Sequence, residues 1–408
     1  MIIDDDIKIY RYRYSFKNIV LTMDKDYEIR DEMAVAMAMI YDYTHRTQPI
    51  IQFTLQLEKD LIVLLYKHQE NAKIKFDIYE SYYDEKDQKI GTSLWMQHAF
   101  SIVPVRDITH YINAQDIETI QYSDPMAQPQ GVEMYLIDRD VYNNFSQQIS
   151  VNVTNTSKPA ILQSLFMSRD IPGKTVIATP PEDSSIVPRV VLEMGTLVGN
   201  IDELNKRYGI YTANALVFHD LENLYCLNRI KPNVEIKSTT QFDSVTFILA
   251  NSSTPEAKLA GGSTDFGRKT HFINLPGAPE IQDYKPVINS AEFANIETID
   301  ADGTVDKITL KNDDTKMQYM YNHNPLSVQQ EINERIVTDQ IVSFIIADSP
   351  ISVFKPHKTY NFIVDTQYSN LDLSNHLYRL QYLEFGIAKD GSNYESTIQM
   401  ILYRVSDT

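Results

Sequence analysis

Pro49-Ile50-Ile51-Gln52-Phe53-Thr54-Leu55-Gln56-Leu57-Glu58-Lys59-Asp60-Leu61-Ile62 changes its hydrophobic period in the middle. Ile51, Phe53, Leu55 and Leu57 alternate with Gln52, Thr54 and Gln56, the period of two that puts apolar side chains on one face of a strand. From Glu58 to Asn71 the period lengthens, and Leu61, Leu64, Leu65 and His68 fall at i, i+3, i+4 and i+7. That spacing gives a helix one apolar face. Alternation then resumes, with Ile74, Phe76 and Ile78 on one side and Lys73, Lys75 and Asp77 on the other. The charged stretch Tyr83 to Gly91 reads as a long acidic loop, and a third strand is expected from about Met96 to Val103. These elements hold too little helix for a sheet of βαβ units. They fit a small antiparallel barrel or sandwich plugged by one helix, over residues 1–110.

Residues 111–230 behave differently. Ser157 can cap a helix with Pro159 in its first turn, carrying Ile161, Leu162, Leu165 and Phe166 as far as Arg169, before the Pro172-Gly173 turn. Asn200 with Glu203 three residues later resembles a capping box, and that helix turns Leu204 and Tyr208 inward and ends at Gly209. Strands are expected at Val187–Glu193, Ala215–His219 and Leu224–Leu227, and Pro180-Pro181-Glu182-Asp183 reads as an exposed loop. The segment is a small α+β middle domain.

From 231 to 408 the pattern returns to β structure. Ile296–Ile299 and Val305–Ile308 flank Asp302-Gly303, a tight-turn pair. Pro325, Ser327 and Gln330 open a helix with Val328, Ile332 and Ile336 at i, i+4 and i+8. Strands follow at Ile341–Ala347, Tyr360–Val364, Tyr378–Phe385 and Tyr394–Arg404, the last two joined by the Lys389-Asp390-Gly391 turn. A helix followed by strands thus occurs near both ends of the chain. No fixed-period repeat accompanies it, so any duplication is architectural.

Composition narrows the function. Of 408 residues, 43% are apolar and 23% charged, the balance of a folded protein, and 26 Tyr against 13 Gly favour strands and contact surfaces. The net charge of −18 opposes retention of nucleic acid along a basic groove. The single cysteine, Cys226, excludes an intrachain disulfide framework. Met1-Ile-Ile-Asp-Asp-Asp lacks a basic n-region, and no run approaches the roughly 20 apolar residues of a membrane helix. Neither export nor membrane insertion is expected.

No catalytic, cofactor or metal residues can be nominated. No two histidines stand as His-x-His or His-x-x-x-His, the close ligands a zinc peptidase needs. Cys226, with His219 seven residues upstream, reads as a buried core residue and not as a nucleophile. Asp300-Ala-Asp302-Gly303-Thr-Val-Asp306 puts Gly fourth and Lys311 twelfth, where a calcium loop needs Gly sixth and Glu twelfth. Gly261-Gly262-Ser-Thr-Asp-Phe-Gly267 lacks the Gly-Lys-Ser/Thr ending of a phosphate loop.

Three passages, in order, resemble the baseplate hub proteins of contractile-tailed bacteriophages. Pro49 to Ile62 resembles the strand and plug helix of the hub's first barrel. Tyr208-Gly-Ile-Tyr211, Phe218-His-Asp220 and Leu224-Tyr-Cys-Leu-Asn-Arg229 resemble its middle domain. Asn324-Pro325 to Gln340, then Phe354-Lys-Pro-His-Lys-Thr-Tyr-Asn-Phe362, resemble the helix and strand entry of its second barrel. The resemblance implies a β-rich α+β fold: two tail-tube-like antiparallel β-barrels, each with a covering helix, at 1–110 and 231–408, with an inserted loop and hairpin region at about 255–324. It implies a non-enzymatic homotrimer in the virion tail, assembled in the host cytoplasm and joining the sixfold tail tube to a threefold central spike. Wedge and tape-measure proteins are further expected partners, and DNA passes through the channel without specific binding. The acidic loop at 83–91 and the polar stretch 251–272 have no counterpart in that pattern. A receptor- or carbohydrate-binding tail-tip module and a tail-associated cell-wall hydrolase are the alternatives.

Overall fold

The computed structural model describes residues 11–84, 86–103, 130–167, 175–230, 244–249, 263–265, 269–283, 295–299, 305–308, 317–321, 326, 330, 340–368, 370–374, 376–391 and 393–405. The chain opens with β1 (Arg11–Thr22), β2 (Asp26–Ile29), β3 (Ala34–Asp42), β4 (Ile50–Leu57), α1 (Lys59–His68), β5 (Lys73–Tyr83), β6 (Lys89–Ile102), β7 (Gln130–Ile137) and α2 (Arg139–Ser146). Then come β8 (Ile149–Ser157), α3 (Lys158–Met167), β9 (Thr175–Ala178), β10 (Ile186–Gly195), α4 (Leu197–Tyr208), β11 (Ala215–His219) and β12 (Asn223–Asn228). The remainder holds β13 (Ser244–Leu249), β14 (Ser263–Asp265), β15 (Lys269–Asn274), β16 (Glu280–Asp283), β17 (Asn295–Ile299), β18 (Val305–Ile308), β19 (Met317–Tyr321), β20 (Gln340–Ala347), β21 (Thr359–Val364), β22 (Leu377–Asp390) and β23 (Asn393–Val405). Two compact units divide the chain, and each draws on separated segments. The first is Met1–Tyr142, Ser238–Glu280 and Ser343–Leu402; the second is Asn143–Lys237, Ile281–Val342 and Tyr403–Thr408.

In the first unit, one long hydrogen-bonded path runs β14-β15-β13-β21-β22-β3-β4-β7-β6-β5-β1-β2, with β23 joined to β22 and β20 to β23. Strands from the two ends of the sequence therefore share one sheet. β3 and β22 are antiparallel from Asp42↔Tyr382 to Ala36↔Ala388. β7 pairs with β4, so the sheet of the first strands extends past residue 110. The alternation seen in the sequence is the core pattern: Phe53, Ile74, Phe76, Ile78, Ile398, Met400 and Leu402 are all buried. Phe16, Phe53, Phe76 and Phe100 form a continuous run of rings at 4.7–6.0 Å, and Tyr394 of the C-terminal hairpin reaches Phe16 at 5.2 Å. Aromatic pairs in this range add about 0.5–1.5 kcal/mol beyond their burial. A second cluster gathers Phe247, Phe344, Phe362 and Tyr378.

Two expectations change in this unit. Tyr83 to Gly91 is not a long loop. β5 and β6 pair as far as Tyr83↔Lys89, and the Asp84 carboxylate closes the turn by accepting the backbone N–H of Lys86 (3.0 Å) and Gln88 (2.8 Å). An aspartate that bonds its own backbone two residues on is a turn former, and the charges around it belong to solvent-facing strand ends. The second β system is also not purely antiparallel, because β13 runs parallel to both β15 and β21. Val245 to Leu249 are buried without alternation, as expected of a parallel strand covered on both faces. α1 forms where the i, i+3, i+4, i+7 spacing predicts it, with Asp60 in its first turn and Lys67 and His68 in its last, matching the helix dipole.

The second unit contains the β8–β10 ribbon, the sheet β11-β12-β9 and the sheet β18-β17-β19. α4 starts earlier than Asn200. Thr196 is its cap and accepts the Gly199 N–H at 3.2 Å. Asn200 is buried inside the helix and donates to the carbonyls of Ile149 (2.9 Å) and Gly195 (3.2 Å). Gly209 ends α4 at φ 69, as its position suggested. Pro180 to Asp183 is a loop with Pro180 and Glu182 exposed, as expected, and it is tied down by side-chain bonds. The Lys158 ammonium, 2% exposed, pairs with Asp183 and donates to the Gly209 carbonyl at 3.0 Å, while Glu182 accepts the Thr212 N–H at 2.6 Å. Of the helix expected from Pro325, only Leu326 and Gln330 lie within the described residues. The Gln330 amide donates to the Tyr211 carbonyl at 2.7 Å and to Asn205 at 3.1 Å. The Asp300–Gly303 turn lies outside the described residues, yet β17 and β18 on either side of it are antiparallel; of the Gly261–Gly267 passage only Ser263–Asp265 is described, and it is β14, paired with β15.

The Lys158–Asp183 pair gives a direct check on this unit. Lys158→Ala removes the buried ammonium from Asp183 and from the Gly209 carbonyl and is expected to cost about 1–3 kcal/mol, read by urea denaturation. Burial alone would raise the Asp183 carboxyl, but the Lys158 and Ser185 donors outweigh it and hold it below the ordinary range. Stability from a depressed carboxyl is present above its unfolded value, about 3.9, and is lost as pH falls through the folded value. The penalty of Lys158→Ala should therefore shrink in acid.

Candidate functional site: a sheet face without basic residues

β3 (AVAMAMIYD), β4 (IIQFTLQL) and β7 (QGVEMYLI) contain no Lys or Arg. One face of these strands builds the core through Met37, Met39, Phe53, Leu55, Met134 and Leu136. Period-two alternation sends the other residues to the opposite face, where the register sets them in cross-strand rows. Ala388, Ala36, Thr54 and Glu133 make one row, and Gly386, Ala38, Gln52 and Tyr135 make the next. The Gln52 amide donates to the Tyr135 hydroxyl at 3.0 Å. Beyond β22, Thr397 of β23 lies so close that a Cβ on Gly386 would sit 3.1 Å from its hydroxyl. Glycine there lets two strands approach with nothing standing above the sheet. Glu395, Thr397 and Gln399 continue the face on β23 and are exposed. At its other end Ile40 packs on Ile50, Val103, Tyr135 and Ile137, which closes that margin.

The charges on this face are carboxylates: Glu133, Glu384 and Glu395. The bases of β22 are directed elsewhere. Arg379 is buried and donates to the Thr359 hydroxyl at 2.8 Å, and the Lys389 ammonium donates to the Glu32 carbonyl at 2.7 Å. The exposed positions of β4, β7 and β23 carry small, amide and acidic side chains. Among the described residues of β3, β4 and β7 there is no cation to neutralise a phosphate, the neutralisation that holds a nucleic acid to a protein, whereas Lys73 and Lys75 are exposed on β5 further along the sheet. No single residue in the sequence announces this face. Its signal is the absence of Lys and Arg from three strands that only the register places side by side.

Cys226 is where the sequence put it, wholly buried on β12. In the register Cys226 opposes Val217 and His219 opposes Leu224. Burial pushes the thiol up to about 12, against a smaller lowering by the Tyr211 hydroxyl. A nucleophilic thiol needs the opposite shift. Among the described residues no group of three or more His, Cys, Asp or Glu is placed to hold a metal ion, and no helix is long and apolar enough to cross a membrane.

Fold and face together define a β-rich protein whose sheet joins strands from both ends of the sequence. The chain belongs to the Bacteriophage PBS1 gene 109 protein family, whose model matches residues 5–266. It is thus a member of a phage family, as the sequence passages implied. No curated protein matches it. Similar solved structures include the tail protein from Neisseria meningitidis MC58, 8% identical with a TM-score of 0.49 over 96% of each chain. They also include the half-lidded Francisella PdpA–VgrG complex, 10% identical at 0.44, covering 99% of this chain and 59% of that one. A third is the E. coli c3393 protein, described as a type VI secretion component resembling the T4 tail proteins gp27 and gp5; it is 10% identical at 0.40 over 92% and 74%. Each is a likeness and no more.

Burial of Cys226 makes a simple prediction. A thiol reagent should leave the native protein unmodified and titrate one thiol after denaturation. Rapid labelling of the folded chain would contradict the packing around β12.

Proposed function

We propose that this chain is the baseplate hub of a contractile phage tail, a homotrimer that joins the sixfold tail tube to a threefold central spike and surrounds the DNA channel. The base-free face carries the proposal. It runs unbroken from β7 through β4 and β3 to β22 and β23, so it spans strands from both ends of the sequence. Two tube-like barrels per chain, side by side through the β3–β22 junction, would give six around a threefold axis, a number that matches a sixfold tube. The face is suited to the channel wall, because DNA must pass it without being held. Closure into a ring needs heterologous contacts between identical copies, for which strand edges such as β2 are available. In this reading the protein resides in the virion tail, contacts tube and spike proteins, and catalyses no reaction.

Light scattering on the size-separated chain, with spike and tube proteins added if needed, should give the mass of three chains of 47.0 kDa. A monomer that persists with those partners present would defeat the proposal. The wall is tested separately with Thr54→Lys and Gln399→Lys on the same face. The wild-type trimer should bind duplex DNA no more tightly than ordinary non-specific binding, about 10⁻⁴–10⁻⁶ M at physiological salt. The doubly substituted trimer, unchanged in mass, should bind more tightly with a steeper salt dependence and should slow genome release from particles that carry it. Equal release would place the face away from the DNA.

A further inference from the structure

Tyr14 on β1 is buried, and its one hydroxyl proton faces two acceptors. The Glu80 carboxylate on β5 lies at 2.9 Å and the Ser349 carbonyl at 3.2 Å, while the Tyr14 oxygen accepts the Ile351 N–H at 3.1 Å. One proton can bond only one of them fully or share itself between both, so the ionisation of Glu80 decides which acceptor it favours. We propose that Glu80 and Tyr14 form a proton-controlled latch between strands β1 and β5 and the turn Ser349–Ile351, which links β20 to β21.

With Glu80 ionised, the Tyr14 O–H donates to the carboxylate and the Ser349 carbonyl loses that donor. When Glu80 takes a proton from solvent, its own O–H donates to the Tyr14 oxygen, and the tyrosine proton turns to Ser349. The Ile351 N–H bond persists in both states. The net change is one proton gained by Glu80 and one hydrogen bond gained by the turn, so acid tightens the latch. Tyr14 itself stays protonated, because burial and the neighbouring Glu80 push its hydroxyl well above the ordinary range. Burial likewise raises the Glu80 carboxyl, with the Tyr14 hydrogen bond opposing.

Among the described residues, the latch has these neighbours. β1 contributes Tyr12, whose ring lies 6.4 Å from Tyr82 of β5. On β6, Ser93 opposes Glu80 in the register, and Trp95 lies beside Tyr14. β22 contributes Phe385, 4.9 Å from the Tyr14 ring. Just before the turn, Asp348 is a second carboxyl that burial raises, against Arg11 and Arg13; Arg13 also pairs with Asp87 at 2.9 Å. Asp348 is therefore the group whose titration must be separated from that of Glu80.

The chain supplies its own reporter. Trp95 is its single tryptophan and stands edge-on to Tyr14 at 6.0 Å and to Phe385 at 5.3 Å. Its emission in the full-length protein, followed from about pH 8 to about pH 4, should show a one-proton transition with a midpoint above the ordinary glutamate value of about 4.3. Glu80→Gln should abolish the transition, and Asp348→Asn should leave it in place. Tyr14→Phe should move it to higher pH, because the carboxylate loses its donor. In stability the sign is fixed by linkage: a raised carboxyl favours the fold as pH drops from its folded to its unfolded value. Any excess stability of Glu80→Gln over wild type should thus be largest near neutrality and vanish towards pH about 4. A transition that survives Glu80→Gln, disappears in Asp348→Asn, or keeps its midpoint in Tyr14→Phe would overturn the latch. If Tyr14→Phe does not fold, the Glu80 and Asp348 variants decide the matter alone.

Discussion

The antiparallel pairing of β3 with β22 is the constraint on which the first unit depends. These strands are more than 330 positions apart in the chain, as Gly386 opposite Ala38 illustrates. Closing so long a loop costs conformational entropy that local contacts cannot offset. What offsets it is burial on the core side, where Met37, Met39, Phe385 and Ile387 are all at or below 2% exposure. A slip of one residue would turn those four side chains to the other face and bring Ala38, Gly386 and Glu384 into the core. The same register that protects the core therefore also assembles the base-free face.

The C-terminal hairpin secures that junction from the second side. β23 pairs with β22, and Tyr394 at its start packs on Phe16 while its hydroxyl donates to the Ala34 carbonyl at 2.8 Å. Tyr14 bonds the Ser349–Ile351 turn directly, and Trp95 and Phe385 pack against its ring. Tyrosine recurs here for a physical reason: each ring supplies buried area, and each hydroxyl satisfies a backbone or carboxylate group that packing would otherwise strand. The tyrosine-rich composition is partly this chemistry of joining.

Legibility in the sequence followed period. The alternation at Ile51–Leu57, Ile74–Ile78 and Ile398–Leu402 and the helical spacing at Leu61–His68 all appear as read, because each side chain's environment was decided within its own element. Gly209 and Gly391 mark ends and turns through their positive φ, 69 and 57. Misreadings came from contacts beyond the element. Asp84 closes a hairpin where the sequence reads as a charged loop, and Thr196 precedes Asn200 as cap because Asn200 is needed inside. β13 has no alternation, and a short apolar run alone cannot distinguish strand from helix. The candidate face was invisible for a deeper reason, since it exists only across strands that the sequence keeps far apart.

A reconstruction of the assembled particle at a resolution that separates strands tests the central claim most directly. The proposed hub requires a three-chain ring in which Ala36, Ala38, Thr54, Glu133, Gly386 and Gln399 line the central pore. A pore lined chiefly by Lys and Arg, or a ring with the β3–β22 face turned to the outside, would contradict it.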